Sequence, residues 1–290
     1  MTGKSINVFM IEGTPNRSLY CGESNMNGRV YRIPRNEVDK MSKRSELKTP
    51  GVYVLLGKDD EGQLLAYIGE SEDVSTRLQQ HTAAKTFWTE ALVFIRLGCA
   101  LHRAHVKYLE HRFLEIAKDI GRCILQNGCN PGGATLSEAD KSDMETFIDN
   151  TKMLLSTLGV KLFEPVVQKI NDTDNTDSEE DMIFIIASKN GVEAKGIRTA
   201  DGFVVLEGSH IAETEADSVP NNVKNIRKSL INEGVIAENR FTKDFLFSSA
   251  SAAAGVVTGY SINGKTAWKT KDGKTLKAIL QSNITDEVEN

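Results

Sequence analysis

The hydrophobic positions fall into a few strongly patterned stretches. Two apolar runs, Gly51-Val-Tyr-Val-Leu-Leu-Gly57 and Leu64-Leu-Ala-Tyr-Ile-Gly69, flank a polar, glycine-containing turn and predict a β-hairpin. Pro50 stands just before the first strand, where its missing N–H does least harm. Residues 71–80 open with polar and acidic side chains suited to a helix N-terminus and continue with Val74 and Leu78 at helical spacing. Residues 91–97 predict another strand. The clearest helix spans residues 102–118, with Val106, Leu109, Phe113, Ile116 and Ala117 on one face, and stops before Gly121. A second long helical pattern starts at Ser137-Glu-Ala-Asp and reaches Leu158.

Patterning resumes further on. Residues 182–187 and 202–206 predict strands, 221–232 a helix, and 255–280 a mixed segment with a turn at Asn263-Gly264. Between the two patterned halves lies NDTDNTDSEED at 171–181, with six acids, no base and no apolar residue. Such a stretch cannot bury enough surface to offset its ordering entropy, so it predicts a flexible, self-repelling linker. The expected fold class is therefore α/β (α+β) in two domains, the second a small α+β unit. The expected boundaries are a basic N-terminal extension at 1–47 packed on a first domain at 48–165, the acidic linker at 166–182, and a second domain at 183–285.

The linker changes what the net charge means. The chain carries −5, and without those six acids the remainder stands at +1, so the acidic balance does not exclude a nucleic-acid partner. Residues 1–50 hold nine Lys or Arg against five acids, either a basic arm able to grip a phosphate backbone or an ordinary solvated surface. The cysteines, Cys21, Cys99, Cys123 and Cys129, form no CxxC pair or metal-ligand spacing, which fits reduced thiols in a cytoplasmic protein. No apolar stretch approaches the roughly 18 residues of a membrane span, so no membrane partner is expected. Oligomeric state is not legible.

Candidate chemistry sits on the patterned elements. On a helical wheel Glu110 falls about 40° from Val106, inside the apolar stripe, whereas Glu115 falls near 180°. A carboxylate placed there needs a partner, and a structural salt bridge and a metal ion both remain open. Arg77 and His81, four residues apart, share a helix face and put a fixed positive charge beside a proton-handling group, although such pairs are also common on exposed helices. Tyr53 and Tyr67 lie on the paired hairpin strands, where two phenols can approach each other or simply pack. Phe87-Trp88 is expected in the core. His102, His105 and His111 lie off the Glu110 face and are expected at the surface, and Cys123 and Cys129 have no base or ligand partner nearby.

Taken together, Gly51-Val52-Tyr53, Tyr67-Ile68-Gly69, Arg77, His81, Glu110 and Asn127 in Leu-Gln-Asn-Gly resemble the GIY-YIG nuclease family in order, spacing and element type. The resemblance covers roughly residues 48 to 132, with Val52 in place of the eponymous isoleucine. It implies a short three-stranded mixed or antiparallel sheet flanked by helices, with Gly51 and Gly69 as motif glycines. It also implies a metal-dependent endonuclease that hydrolyses phosphodiester bonds of nucleic acid, DNA as the expected substrate, in restriction, phage defence, mobile elements or repair. Glu110 would be the single protein ligand of one Mg²⁺ or Mn²⁺. Arg77 would hold the scissile phosphate, Tyr53 would be the base toward water, Tyr67 and His81 would orient water and phosphate or relay the proton, and Asn127 would brace the site or the substrate. The alternatives are an RNA-directed nuclease and a catalytically silent nucleic-acid-binding regulatory protein.

Residues 183–285 resemble an uncharacterised bacterial domain that often follows such nucleases. The run from Phe247 through Trp268 to Leu276 also resembles RAMA-type modules attached to restriction and methylase systems, for which reading of modified DNA has been suggested. That resemblance implies a DNA-docking domain with Lys265, Trp268 and Lys269 near the contact.

Overall fold

A computed structural model of the chain describes residues 3–24, 27–98, 100–128, 132–166, 182–187, 192–216 and 219–288, with side chains to residue 282. The fold is mixed α+β and divides into two compact units. The first comprises Met1–Lys58, Leu64–Ala117 and Leu125–Glu164; the second comprises Asp59–Gln63, Lys118–Ile124 and Pro165–Asn290. The 166–182 linker expected from the sequence lies almost wholly outside the described residues. Among the described residues, no helix is long and apolar enough to cross a membrane.

In chain order the first unit contains β1 (Ile6–Met10), β2 (Leu19–Glu23), β3 (Gly28–Pro34), α1 (Val38–Met41), β4 (Gly51–Lys58), β5 (Leu64–Ser71), α2 (Val74–Ala84), β6 (Trp88–Arg96), α3 (Arg103–Ile120), β7 (Ile124–Leu125) and α4 (Glu138–Thr157). The strands form one sheet in the order β1-β2-β3-β6-β4-β5-β7. The three expected strands, β4, β5 and β6, are its heart, but the sheet has seven. Residues 1–47 are therefore not an extension packed on a finished domain, since β1, β2 and β3 continue the sheet itself.

β3 escapes a hydrophobic scan because Arg29 and Arg32 interrupt its pattern, and β1 and β2 are only five residues each. Arg32 projects to Glu90 at 2.6 Å, while Arg29 lies over the Tyr20 ring at 4.1 Å, so each cation finds a partner on the sheet. The same partnering limits the expected basic arm. Arg17 and Lys40 are paired with Glu37 and Glu12, and Arg35 donates to the carbonyls of Thr82, Thr86 and Trp88. Much of the local positive charge is spent inside the unit.

One sheet face is buried with α1 and α2, in a cluster containing Tyr31, Ile33, Val38, Met41, Tyr53, Leu55, Val74, Leu78 and Trp88. Phe87-Trp88 was expected in the core, and Trp88 is 1% exposed. On the other face Phe94 meets Phe113 of α3, with ring centroids 5.3 Å apart. Gly121 ends α3 with φ of 70°, the left-handed conformation expected of a terminal glycine.

The second unit contains β8 (Ile183–Ala187), β9 (Glu193–Thr199), β10 (Gly202–Val205), α5 (Asn221–Asn232), β11 (Ile236–Ala237), β12 (Arg240–Phe241), β13 (Phe245–Phe247), α6 (Ala250–Thr258), α7 (Gly264–Ala267) and α8 (Leu276–Val288). Its four-stranded sheet runs β13-β10-β9-β8, with β11 and β12 as a separate pair. Asn263 is not the centre of a hairpin turn. Its side chain accepts from Lys265 N–H and caps α7, a helix start rather than a strand reversal.

Candidate active site

β4 and β5 pair antiparallel with Tyr53 opposite Gly69 and Leu55 opposite Tyr67. Side chains two apart on a strand share a face, so Tyr53 and Tyr67 stand diagonally on one face, and their rings lie 6.4 Å apart. Gly69 makes this possible. A Cβ there would sit 2.5 Å from the Tyr53 hydroxyl and 3.0 Å from Tyr67 Cε1, so the Tyr53 phenol lies across bare backbone. Gly51 serves a different approach: a Cβ would meet the Phe94 carbonyl at 2.8 Å and a Val74 methyl at 3.0 Å. One motif glycine admits a tyrosine and the other admits the start of α2.

Asp73 begins α2 by accepting from Thr76 N–H at 3.1 Å, and Val74, Ser75, Leu78 and His81 form its buried side. His81 Nε2 lies 2.8 Å from the Tyr53 hydroxyl, and its ring packs 5.2 Å from that of Tyr67. Burial, with the charges of Arg77 and Lys85, lowers the His81 pKa to about 4, so the ring is neutral near pH 7 and can accept a hydrogen bond from the Tyr53 hydroxyl. Arg77 is exposed and bonds Gln80 at 3.0 Å; a hydrogen bond to Tyr53 raises its pKa further. Burial pushes the Tyr53 phenol above its ordinary value, and Arg77 opposes that only in part. The phenolate favoured by nearby cations is therefore not what this arrangement stabilises on its own. Tyr53 stays protonated beside a neutral acceptor.

Glu110 is half-buried on α3. Burial first, and then the nearby Glu70 charge, raise its pKa to about 7; the Glu70 backbone N–H, Lys107 and Arg77 act in the opposite direction. The partner that its place in the apolar stripe demands is thus not a dominant salt bridge. Glu110 acts electrostatically on Tyr53, and Arg77 acts on Glu110, so these groups share one field.

Asn127 braces the sheet through both ends of its carboxamide. Its Oδ1 accepts from Ile68 N–H at 3.1 Å and its Nδ2 donates to the Ile68 carbonyl at 2.7 Å, so the side chain grips the strand that carries Tyr67 and Gly69. Sequence reasoning missed Lys85, whose Nζ lies 4.3 Å above the Tyr67 ring. The signal was present, since Arg77, His81 and Lys85 recur every four residues on α2. Glu70 was also missed because it hides beside a motif glycine.

Other candidates fall elsewhere. His102 is exposed, and His111 lies 3.4 Å from Glu115, both compatible with the expected surface role. His105 is not at the surface, for it stacks on His102 with both ring nitrogens buried. Cys123 is buried with its pKa raised by burial, and Cys129 lies outside the described residues. In the second unit Lys265 and Lys269 are exposed, but Trp268 is 0% exposed. Its indole packs on Phe203 at 4.6 Å and donates to the Ala250 carbonyl at 3.0 Å, so it is a core residue and cannot stack on a base. The aromatic at that surface is Tyr260, 42% exposed, on an open groove of about 500 Å³ that also has Ile262, Lys269 and Lys271 along it.

Comparison with known families finds one match, to a family described as a domain of unknown function (DUF4357), over residues 184–280. That third of the chain lies within the expected second domain. Neither a curated protein nor a solved structure matches.

Proposed function

We propose that the first unit is the catalytic part of a metal-dependent endonuclease of GIY-YIG type, acting on nucleic acid in the cytoplasm, with DNA as its substrate. The observation that carries this is the Tyr53 hydroxyl, held 2.8 Å from a neutral His81 with Arg77 and Glu110 acting on the same phenol. A protonated phenol is a poor base by itself. Joined to His81 it becomes a relay: as Tyr53 oxygen takes a proton from water, its own proton passes to Nε2. Arg77 sits exposed where a phosphate could enter and offers a fixed charge to the oxygens that gain charge in the transition state. Lys85 and Tyr67 complete the wall beside His81.

The donor chemistry fits one hard divalent cation. A half-buried carboxylate whose proton affinity is raised by burial and by Glu70 gains from a cation that replaces the proton. Glu110 would hold Mg²⁺ or Mn²⁺, which when bound supplies charge neutralisation and helps ionise water. The second unit is proposed to aim the enzyme, with Tyr260 to stack on a base and Lys269 and Lys271 to meet phosphates.

The test is cleavage of supercoiled plasmid, single-stranded DNA and RNA with Mg²⁺, Mn²⁺ or EDTA, comparing wild type with Glu110→Gln and Tyr53→Phe. Both variants should lose at least about 100-fold in rate. Mg²⁺ or Mn²⁺ should also raise the melting temperature of wild type, but not of Glu110→Gln, more strongly at pH 8 than at pH 6, where a proton competes. A folded wild type that cuts nothing while binding DNA would favour the silent regulatory protein; a preference for RNA would move the substrate.

A further inference from the structure

The sheet of the first unit ends on one side in a strand that breaks the usual rules for an edge. Among the described residues, six large hydrophobic side chains are exposed, and three of them, Val8 (47%), Phe9 (51%) and Met10 (42%), are consecutive on β1. β1 pairs with β2 alone, in a register that sets Ile6 opposite Glu23 and Met10 opposite Leu19. Natural edges are blunted by lysine, proline, bulges or covering segments. The five residues Ile-Asn-Val-Phe-Met contain no lysine or proline, and their ladder to β2 is regular.

The hydrogen bonds flanking the ladder fix which backbone groups are free to pair. Ser24 N–H donates to the Ser5 carbonyl and Ile11 N–H to the Ser18 carbonyl, so the odd-numbered residues of β1 turn their N–H and C=O groups toward β2. Ile6, Val8 and Met10 turn theirs outward, the Met10 carbonyl already accepting from Gly13 N–H at 3.1 Å. Three alternating outward residues are self-complementary under a two-fold rotation centred on Val8: Ile6 of one copy meets Met10 of the other, and Val8 meets Val8. About four backbone hydrogen bonds form in that register without calling on the Met10 carbonyl, with non-polar side chains opposed at every outward position.

We infer that β1 is the pairing edge for a second copy of this chain, added antiparallel about Val8. A single pair of edge strands buries less than the ordinary stable interface, so association is reversible and strongly concentration-dependent. An apolar peptide strand would satisfy the hydrogen bonds but not the symmetry at Val8. A nucleic-acid strand stacked on Phe9 and Tyr20 would leave Val8 and Met10 uncovered, since they point to the other face. The inference does not depend on the nuclease proposal.

Sedimentation velocity of the full chain from low to several hundred micromolar tests it. Wild type should pass from monomer to dimer. Val8→Lys and Val8→Glu, each placing like charges face to face across the two-fold axis, should each weaken association at least about tenfold. Their equimolar mixture should restore it, because opposite charges then meet. Val8 N–H is not used by β2, so circular dichroism and melting of the variants should match wild type, and a variant that unfolds is replaced by Val8→Thr. The proposal fails if wild type stays monomeric throughout, if a dimer ignores Val8→Lys, or if the mixture does not recover association.

Discussion

His81 is buried without a counter-charge, and the pH dependence of the molecule follows from that. Its ordinary pKa is 6.5 and its folded value about 4. Between these values the unfolded chain binds a proton that the folded chain refuses, so stability from this residue is complete above pH 6.5 and is lost as pH falls toward 4. The full effect is at most about 3 kcal/mol. Glu110 runs the other way: its folded value of about 7 exceeds the ordinary 4.5, so it favours the folded chain at low pH and that benefit is lost as pH rises toward 7. The two slopes partly cancel in wild type. His81→Gln should unmask the Glu110 term, so that urea midpoints of the variant fall less between pH 7 and pH 4.5 than those of wild type. A variant as acid-sensitive as wild type would mean that His81 is not held neutral.

At the scale of elements, the hairpin, α2 and α3 were legible because each carries its own period. The expected strand at 91–97 is β6, Trp88–Arg96; the expected helix at 102–118 is α3, Arg103–Ile120; and the helix at 221–232 is α5. Tyr53, Tyr67 and His81 were legible as a set because strand alternation and helix spacing leave each side chain one face. Their distances were not, since these depend on Gly69 lacking a side chain and on α2 closing over Gly51. β3 was missed because its arginines are satisfied only by partners distant in sequence, such as Arg32 with Glu90, and β1 and β2 because each is only five residues long. Asn127 was legible as a residue that braces the site or the substrate, but its partner was not, because Ile68 is 59 residues away. Asn127→Ala removes both hydrogen bonds to that strand and should cost about 1–3 kcal/mol. Cleavage should fall along with stability, and Asn127→Asp, which keeps the acceptor and loses the donor, should fall between the two.

The whole molecule has two cores, and each contains one of the two tryptophans: Trp88 in the first unit and Trp268 in the second. Length and the acidic break made two domains legible. Which aromatic faces solvent was not, since Tyr260 follows an apolar run and Trp268 a polar one, and only packing on Phe203 and Ala250 decides between them. Trp268→Ala should lower stability by about 3–5 kcal/mol, followed by urea unfolding. Tyr260→Ala should leave stability within about 0.5 kcal/mol and instead weaken DNA binding. The reverse pattern would restore Trp268 to the surface role that its burial denies.

The grip of Asn127 on Ile68 also settles how far the sheet can spread. On that side β7 contributes only two residues, and beyond them a carboxamide occupies the Ile68 donor and acceptor along which β7 would have to lengthen. The far side, at β1, has no such stopper. Two copies joined at β1 would leave only these two-residue margins at the ends of the shared sheet, and so short an edge offers a third copy far less than β1 does.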